Sequence, residues 1–135
     1  MTATVQARAV FGPPRPVLVV FVAGEIDRAN QGEFARVLGA VAAQQGTAHF
    51  RRQFGCKEVA PTLVIDLREV SFIGVDALFR LTEQRDDGGC PPRLVTAAHG
   101  VVRRALAASG LDDVFELFSN LPDAVLTESQ PRERE

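Results

Sequence analysis

Asp66 follows a run of apolar residues, at a position where some α/β proteins hold a Mg²⁺-binding or phosphate-accepting aspartate. A metal site would require further carboxylates, and Glu25, Asp27 and Asp76 would have to converge on it from separate loops. The same residue types also favour turns and helix N-termini, because a short carboxylate side chain accepts hydrogen bonds from nearby backbone amides. We therefore expect turn-forming and capping roles for these carboxylates, and no metal site.

The turn Gly74-Val75-Asp76 stands where an α/β hydrolase would carry its nucleophile. A nucleophile elbow reads G-x-S-x-G, and this turn has no serine at the required position. Phosphate-binding loops read G-x-x-x-x-G-K-[ST] or G-x-G-x-x-G, because backbone amides must approach the phosphates closely. Neither pattern occurs in the chain. The sequence therefore predicts a protein that is not an enzyme and that needs no cofactor.

The composition is that of an ordinary globular chain. Of 135 residues, 46% are hydrophobic and 24% are charged, and the formal net charge is −2. This charge gives no support for a nucleic-acid partner, and no apolar run approaches the ~20 residues of a membrane span. The first residues lack the basic start and apolar run of a signal peptide, so we expect a cytoplasmic protein without a membrane partner. Cys56 and Cys90 are expected to be free thiols.

Strand-like and helix-like segments alternate along the chain, which predicts an α/β fold with a mixed β-sheet of four to five strands and helices packed on it. The predicted strands are Thr4–Val10, Val17–Gly24, Thr62–Leu67, Arg93–Ala97 and Leu111–Phe118. The predicted helices are Asn30–Gln45, Val75–Gln84, His99–Gly110 and Asn120–Glu128. The first strand lies at an edge, and the continuous apolar run of the second places it in the centre of the sheet.

Residues 1–128 are predicted to form a single domain, and residues 129–135 a disordered tail. Within the domain, Gln45–Pro61 has neither helical nor strand periodicity and contains most of the local positive charge. We expect it to be an extended surface loop, at about positions 45–61.

Three segments, taken in order, resemble the STAS family, the fold of bacterial anti-sigma factor antagonists and of the cytoplasmic ends of sulfate transporters. The segment VLVVFVAGEIDRAN resembles the family's strand followed by a G-E-[LI]-D-x-x-N turn. TLVIDLREVSFIG resembles its hydrophobic strand followed by D-L-x-x-V-x-F-[IM]-D. RLVTAAHGVVRRALAASGLDDVFELF resembles its C-terminal segment. The resemblance implies a STAS-like domain that binds a protein and performs no catalysis.

In the antagonist branch of the family, the turn after the second buried strand reads Asp-Ser-Ser-Gly, and a kinase-type anti-sigma factor phosphorylates its second serine. The matching residues here are Gly74, Val75, Asp76 and Ala77, so Asp76 replaces the phosphorylated serine. The resemblance thus implies a bacterial transcription regulator similar to these antagonists but without their phosphorylation site. Its partner would be an anti-sigma factor or another regulatory protein. The residues that it implies for partner binding are Glu25, Asp27, Asn30, Ser71, Gly74, Val75, Asp76 and Phe79.

Two alternatives remain open. The alternative function is that of a ligand-sensing or scaffold STAS domain, which would bind a nucleotide or another small anion through the basic segment His49–Lys57. Asp76 has three interpretations: a mimic of phosphoserine that repels the partner, a charged contact with the partner, or a helix residue favoured by the helix dipole.

Overall fold

The computed structural model describes residues 3–10, 17–41, 62–83 and 91–126. Five strands and four helices alternate in the described residues after an initial pair of strands. In chain order they are β1 Ala3–Val10, β2 Val17–Ile26, α1 Gln31–Val41, β3 Thr62–Ile73, α2 Val75–Leu81, β4 Arg93–Val95, α3 Val101–Ser109, β5 Glu116–Phe118 and α4 Leu121–Leu126. None of the helices described has the length and hydrophobicity needed to cross a membrane.

The strands form one sheet in the order β1-β2-β3-β4-β5. β1 is antiparallel to β2, and all the other neighbouring strands are parallel. The predicted mixed sheet, with its first strand at an edge, is therefore confirmed. Because β2, β3, β4 and β5 run parallel, their carboxyl ends lie together on the side of the sheet that runs across the strand ends. The turns that follow these strands come together at this edge.

Both faces of the sheet are covered, which explains the continuous apolar runs in the sequence. Leu18 and Val20 of β2 belong to the main core, which is completed by buried residues of α1, α2 and α3. Val17 and Val19 face the opposite side and belong to a smaller core with Ala124 of α4. Successive side chains of a strand point to opposite faces, so a strand covered on both sides is apolar at every position.

The strand β3 is longer than predicted, and the expectation that it ends near Leu67 is wrong. It continues to Ile73 and stays paired with β2 over most of that length. The register with β2 shifts twice, between Phe21 and Ala23 and again between Gly24 and Glu25. At each shift β3 contains an additional residue, as in a β-bulge, and this interrupts the alternation that makes a strand recognisable in sequence.

Several predicted boundaries also change by a few residues. α2 ends at Leu81, before the predicted Gln84, because the Thr82 hydroxyl donates to the Phe79 carbonyl at 2.6 Å and the Thr82 amide donates to the same oxygen. α3 ends at Ser109 and is closed, as predicted, by Gly110, which has a φ of 77°. Only the end of the last predicted strand is extended, since residues 111–115 form turns. The predicted loop at 45–61 and the predicted tail at 129–135 lie outside the described residues.

Candidate protein-docking site

The site lies at the carboxyl ends of β2 and β3, which are neighbours in the sheet. Glu25 of β2 is in register with Phe72 of β3, and Ile26 is in register with Ile73. The Gly74 amide, just after β3, donates to the Ile26 carbonyl at 2.9 Å. The turn that leads into α1 and the turn that leads into α2 therefore begin side by side.

The first turn is held together by the side chains of Asp27 and Asn30. The amide oxygen of Asn30 accepts from the Asp27 backbone amide at 2.8 Å, and its nitrogen donates to the Glu25 carbonyl at 3.0 Å. The Asp27 carboxylate accepts from the amides of Ala29 and Asn30, at 3.0 and 3.1 Å. Both side chains point back into the turn, so they fix the path of the chain from β2 to α1.

The second turn places Asp76 at the start of α2. Gly74 precedes the helix with an extended backbone, at φ −79° and ψ 161°, and Val75 begins the helix. A Cβ atom on Gly74 would contact only the Ile26 carbonyl oxygen, at 3.8 Å, so the fold does not require glycine there. Asp76 lies in the first helical turn, where the partial positive charge of the helix terminus favours a carboxylate.

Three large apolar side chains are exposed at this edge. The exposed fractions are 48% for Phe72, 52% for Val75 and 49% for Phe79. Val75 and Phe79 are four residues apart in α2 and therefore lie on the same side of the helix. Phe72, Val75 and Phe79 are called the apolar patch below. We did not predict Phe72, which is outward-facing together with Ser71 because of the second register shift in β3.

The charges around the apolar patch are unevenly paired. Arg80 donates from Nε to the Gln31 side chain at 3.0 Å and lies 3.9 Å from the Glu83 carboxylate. Asp76 is exposed, and its carboxylate makes no hydrogen bond or ion pair with the described residues. The same holds for the Glu25 carboxylate among those residues. Two carboxylates, that of the exposed Asp76 and that of the half-buried Glu25, thus lie beside the apolar patch without a partner in the described residues.

Ser71 completes the set of predicted partner-binding residues. Its side chain is exposed, and its hydroxyl lies 3.4 Å from the Gly24 carbonyl oxygen across the pair β2-β3, which is a long hydrogen bond. All eight predicted residues therefore lie in or beside the two neighbouring turns, or in the first turns of α2. Asp27 and Asn30 differ from the others in role, since their side chains support the β2-α1 turn.

The Asp66 carboxylate is bound by Arg68 and is not part of the site at the ends of β2 and β3. Arg68 donates to both of its carboxylate oxygens, from Nε at 3.0 Å and from Nη2 at 2.7 Å. The hydrogen bond to Asp66 raises the pKa of the Arg68 guanidinium above its ordinary value. Within the described ranges, no group of three or more His, Cys, Asp or Glu residues is placed to hold a metal ion.

The sequence matches the STAS domain family over residues 11–124. The chain belongs to the STAS family. It is 34% identical over 110 residues to the anti-sigma-F factor antagonist RsfB of Mycobacterium tuberculosis, and the match covers 81% of this chain and 79% of RsfB. Among solved structures it is similar to an anti-sigma factor antagonist from Mycobacterium paratuberculosis, with a TM-score of 0.62, 28% identity, and coverage of 90% of this chain and 91% of the other.

The chain is also similar in fold to a more distant solved structure, that of an uncharacterized protein with a SpoIIAA-like fold from Shewanella loihica PV-4. The TM-score is 0.50 at 14% identity, and the match covers 92% of this chain and 93% of that protein. At this identity the likeness concerns the fold alone. The mixed sheet and the helices predicted from the sequence agree with the STAS fold of these relatives.

Proposed function

We propose that this STAS protein is an anti-sigma factor antagonist, a non-catalytic regulator that binds an anti-sigma factor through the edge formed by the β2-α1 and β3-α2 turns. RsfB and the similar structure from Mycobacterium paratuberculosis are both named as antagonists of this kind, which supports the class of protein. Such a regulator acts on transcription, so we also propose a location in the cytoplasm of a bacterial cell.

The observation that carries the proposal is the apolar patch. The described residues include four exposed large hydrophobic side chains, and Phe72, Val75 and Phe79 are three of them. The fourth, Leu126, lies on α4, which covers the opposite face of the sheet. A cluster of exposed aromatic and branched side chains with a charged border is typical of a surface that another protein covers.

The antagonist that we propose lacks a switch at the position that matches the family's phosphorylated serine. Asp76 carries a negative charge there that neither a kinase nor a phosphatase can change. Regulation of binding would therefore depend on the amounts of the two proteins, or on a group elsewhere in the chain.

A binding experiment with matched variants tests the proposal. Purified anti-sigma factors from the organism that encodes this chain are titrated one by one with the native protein, Phe79→Ala and Leu126→Ala. We expect one of them to bind, and Phe79→Ala to weaken binding by at least tenfold, which is ~1.4 kcal/mol. Leu126→Ala removes a side chain of similar exposure from the opposite face and should leave the Kd unchanged.

Both variants remove exposed side chains, so their unfolding midpoints should stay close to that of the native protein. If every anti-sigma factor fails to bind, the proposed function is wrong. If Leu126→Ala weakens binding while Phe79→Ala does not, binding occurs but the docking surface is misplaced.

The ligand-sensing alternative stays a prediction, because His49–Lys57 lies outside the described residues and no observation on the described ones favours it. Thermal unfolding with ATP, GTP and inorganic phosphate separates the two functions. A sensor gains stability as the ligand concentration rises above its Kd, whereas a protein-docking module shows no shift.

A further inference from the structure

Asp76 is an exposed carboxylate beside the apolar patch without a partner in the described residues. Its neighbour one turn later in α2 is Arg80, which is at the i+4 spacing where an aspartate and an arginine commonly pair. Arg80 instead binds Gln31 of α1 and lies near Glu83. The one cation of α2 is therefore directed along the protein surface, away from Asp76.

Covering the apolar patch would bring Asp76 into the contact area. Asp76 directly follows Val75 and lies in the same helical turn as Phe79, so a partner that touches both side chains reaches the carboxylate as well. Removing a carboxylate from water is unfavourable unless the partner provides a cation or hydrogen-bond donors in its place. The alternative is a partner that Asp76 repels, which would make this surface unsuited to binding.

We propose that Asp76 is a fixed anionic contact of the docking surface, and that the anti-sigma factor presents an arginine or lysine next to the side chains with which it covers Phe79. This inference rests on the proposed function. Glu25 strengthens the charge argument, because it is in register with Phe72 of the apolar patch and its carboxylate is also unpaired among described residues. A basic side chain on the partner would then be attracted by both carboxylates.

The proposed contact has a consequence for regulation. A phosphoserine attracts or repels a partner only while the phosphate is present, whereas the charge of Asp76 is permanent at neutral pH. The protein would therefore be constitutively competent for binding at this position. Salt would weaken the complex, because counterions screen the attraction between exposed charges.

The test measures the Kd of the anti-sigma factor bound by the native protein, at low and at high salt. Asp76→Asn keeps the shape of the side chain and removes its charge, and Asp76→Lys reverses the charge. Asp112→Asn is the matched control, because it removes the same charge from an exposed position in the turn before β5. That turn lies at the amino end of the outermost strand, away from the carboxyl ends of β2 and β3. Unfolding midpoints of all variants show whether the fold is intact.

We expect Asp76→Asn to weaken binding by roughly tenfold to a hundredfold at low salt and to reduce the salt dependence of the Kd. Asp76→Lys should weaken binding further, and Asp112→Asn should bind as the native protein does. Unchanged or tighter binding of Asp76→Asn would overturn the inference, and tighter binding would identify a repulsive lock. If Phe79→Ala still weakens binding in that case, the proposed function stands. If the native protein binds no anti-sigma factor, both are overturned.

Discussion

The edge formed by the β2-α1 and β3-α2 turns is called the docking edge below, since we propose that the partner binds there. Its first turn depends on Asn30, whose side chain joins both sides of the β2-α1 turn. We expect Asn30→Ala to loosen this turn and to lower both the stability of the protein and its affinity for the partner. The reason is that the substitution removes two hydrogen bonds at once, one accepted from the Asp27 amide and one donated to the Glu25 carbonyl.

The magnitude follows from these two bonds. Each contributes about 1 kcal/mol net to the stability of a folded protein, so their loss should lower the free energy of unfolding by ~2 kcal/mol. Both bonds are part-buried, so water replaces them only incompletely. Asn30→Asp is the informative comparison, because it keeps the acceptor for the Asp27 amide but places a carboxylate oxygen against the Glu25 carbonyl. It should be destabilised by at least ~1 kcal/mol.

Urea unfolding of the native protein and of both variants measures these differences, with the slope of the transition checked for a change in two-state behaviour. Hydrogen exchange at the Asp27 amide reports the local opening directly, and it should accelerate in Asn30→Ala. A loss of stability below ~0.5 kcal/mol, together with unchanged exchange at Asp27, would refute the view that this side chain fixes the turn.

Four further substitutions test the stability of the fold. Gly110→Ala should lower the free energy of unfolding by ~1 kcal/mol because of its φ of 77°, whereas Gly32→Ala in α1 should raise it by ~0.5 kcal/mol, as urea unfolding would show. Leu78→Ala, at a fully buried position of α2, should cost 2 to 5 kcal/mol, roughly, by the same measurement. Arg93→Met should cost ~3 kcal/mol, because the buried guanidinium donates to Glu116 at 3.1 Å and to the Ala124 carbonyl at 2.6 Å; a loss below ~1 kcal/mol would contradict this view.

The regular parts of the fold could be predicted because their physical signals are local. The apolar run at the start of β2 has no polar position, and the structure buries it between the main core and the smaller core. The end of α3 was recognisable because glycine adopts the left-handed conformation without a steric penalty, and Gly110 does so with the Leu111 amide bonded to the Leu106 carbonyl at 2.9 Å. Sequence patterns of this kind act over a few residues and need no information from the rest of the chain.

The end of β3 could not be predicted, because its conformation depends on pairing with a distant strand. Residues after Leu67 remain in the sheet only because β2 lies beside them, and the register shifts there have no local sequence signal. The exposure of Phe72 has the same origin. Strict alternation would predict that Ser71 and Phe72 face opposite sides, yet both are exposed at the bulge.

The two register shifts that make the end of β3 unrecognisable in the sequence also shape the proposed docking edge. Of the residues of β3, only Val64, Ile65 and Asp66 pair with β4, so the rest of β3 extends past β4 along β2 and brings Phe72 to the surface. α2 then presents Val75 and Phe79 outward, while Ala77, Leu78 and Leu81 anchor it in the main core. The residues that we propose for binding therefore contribute little to the core, and those that hold the helix are hidden from a partner. Because of this separation, we expect substitutions at Asp76 and Phe79 to change affinity for the proposed partner without unfolding the protein.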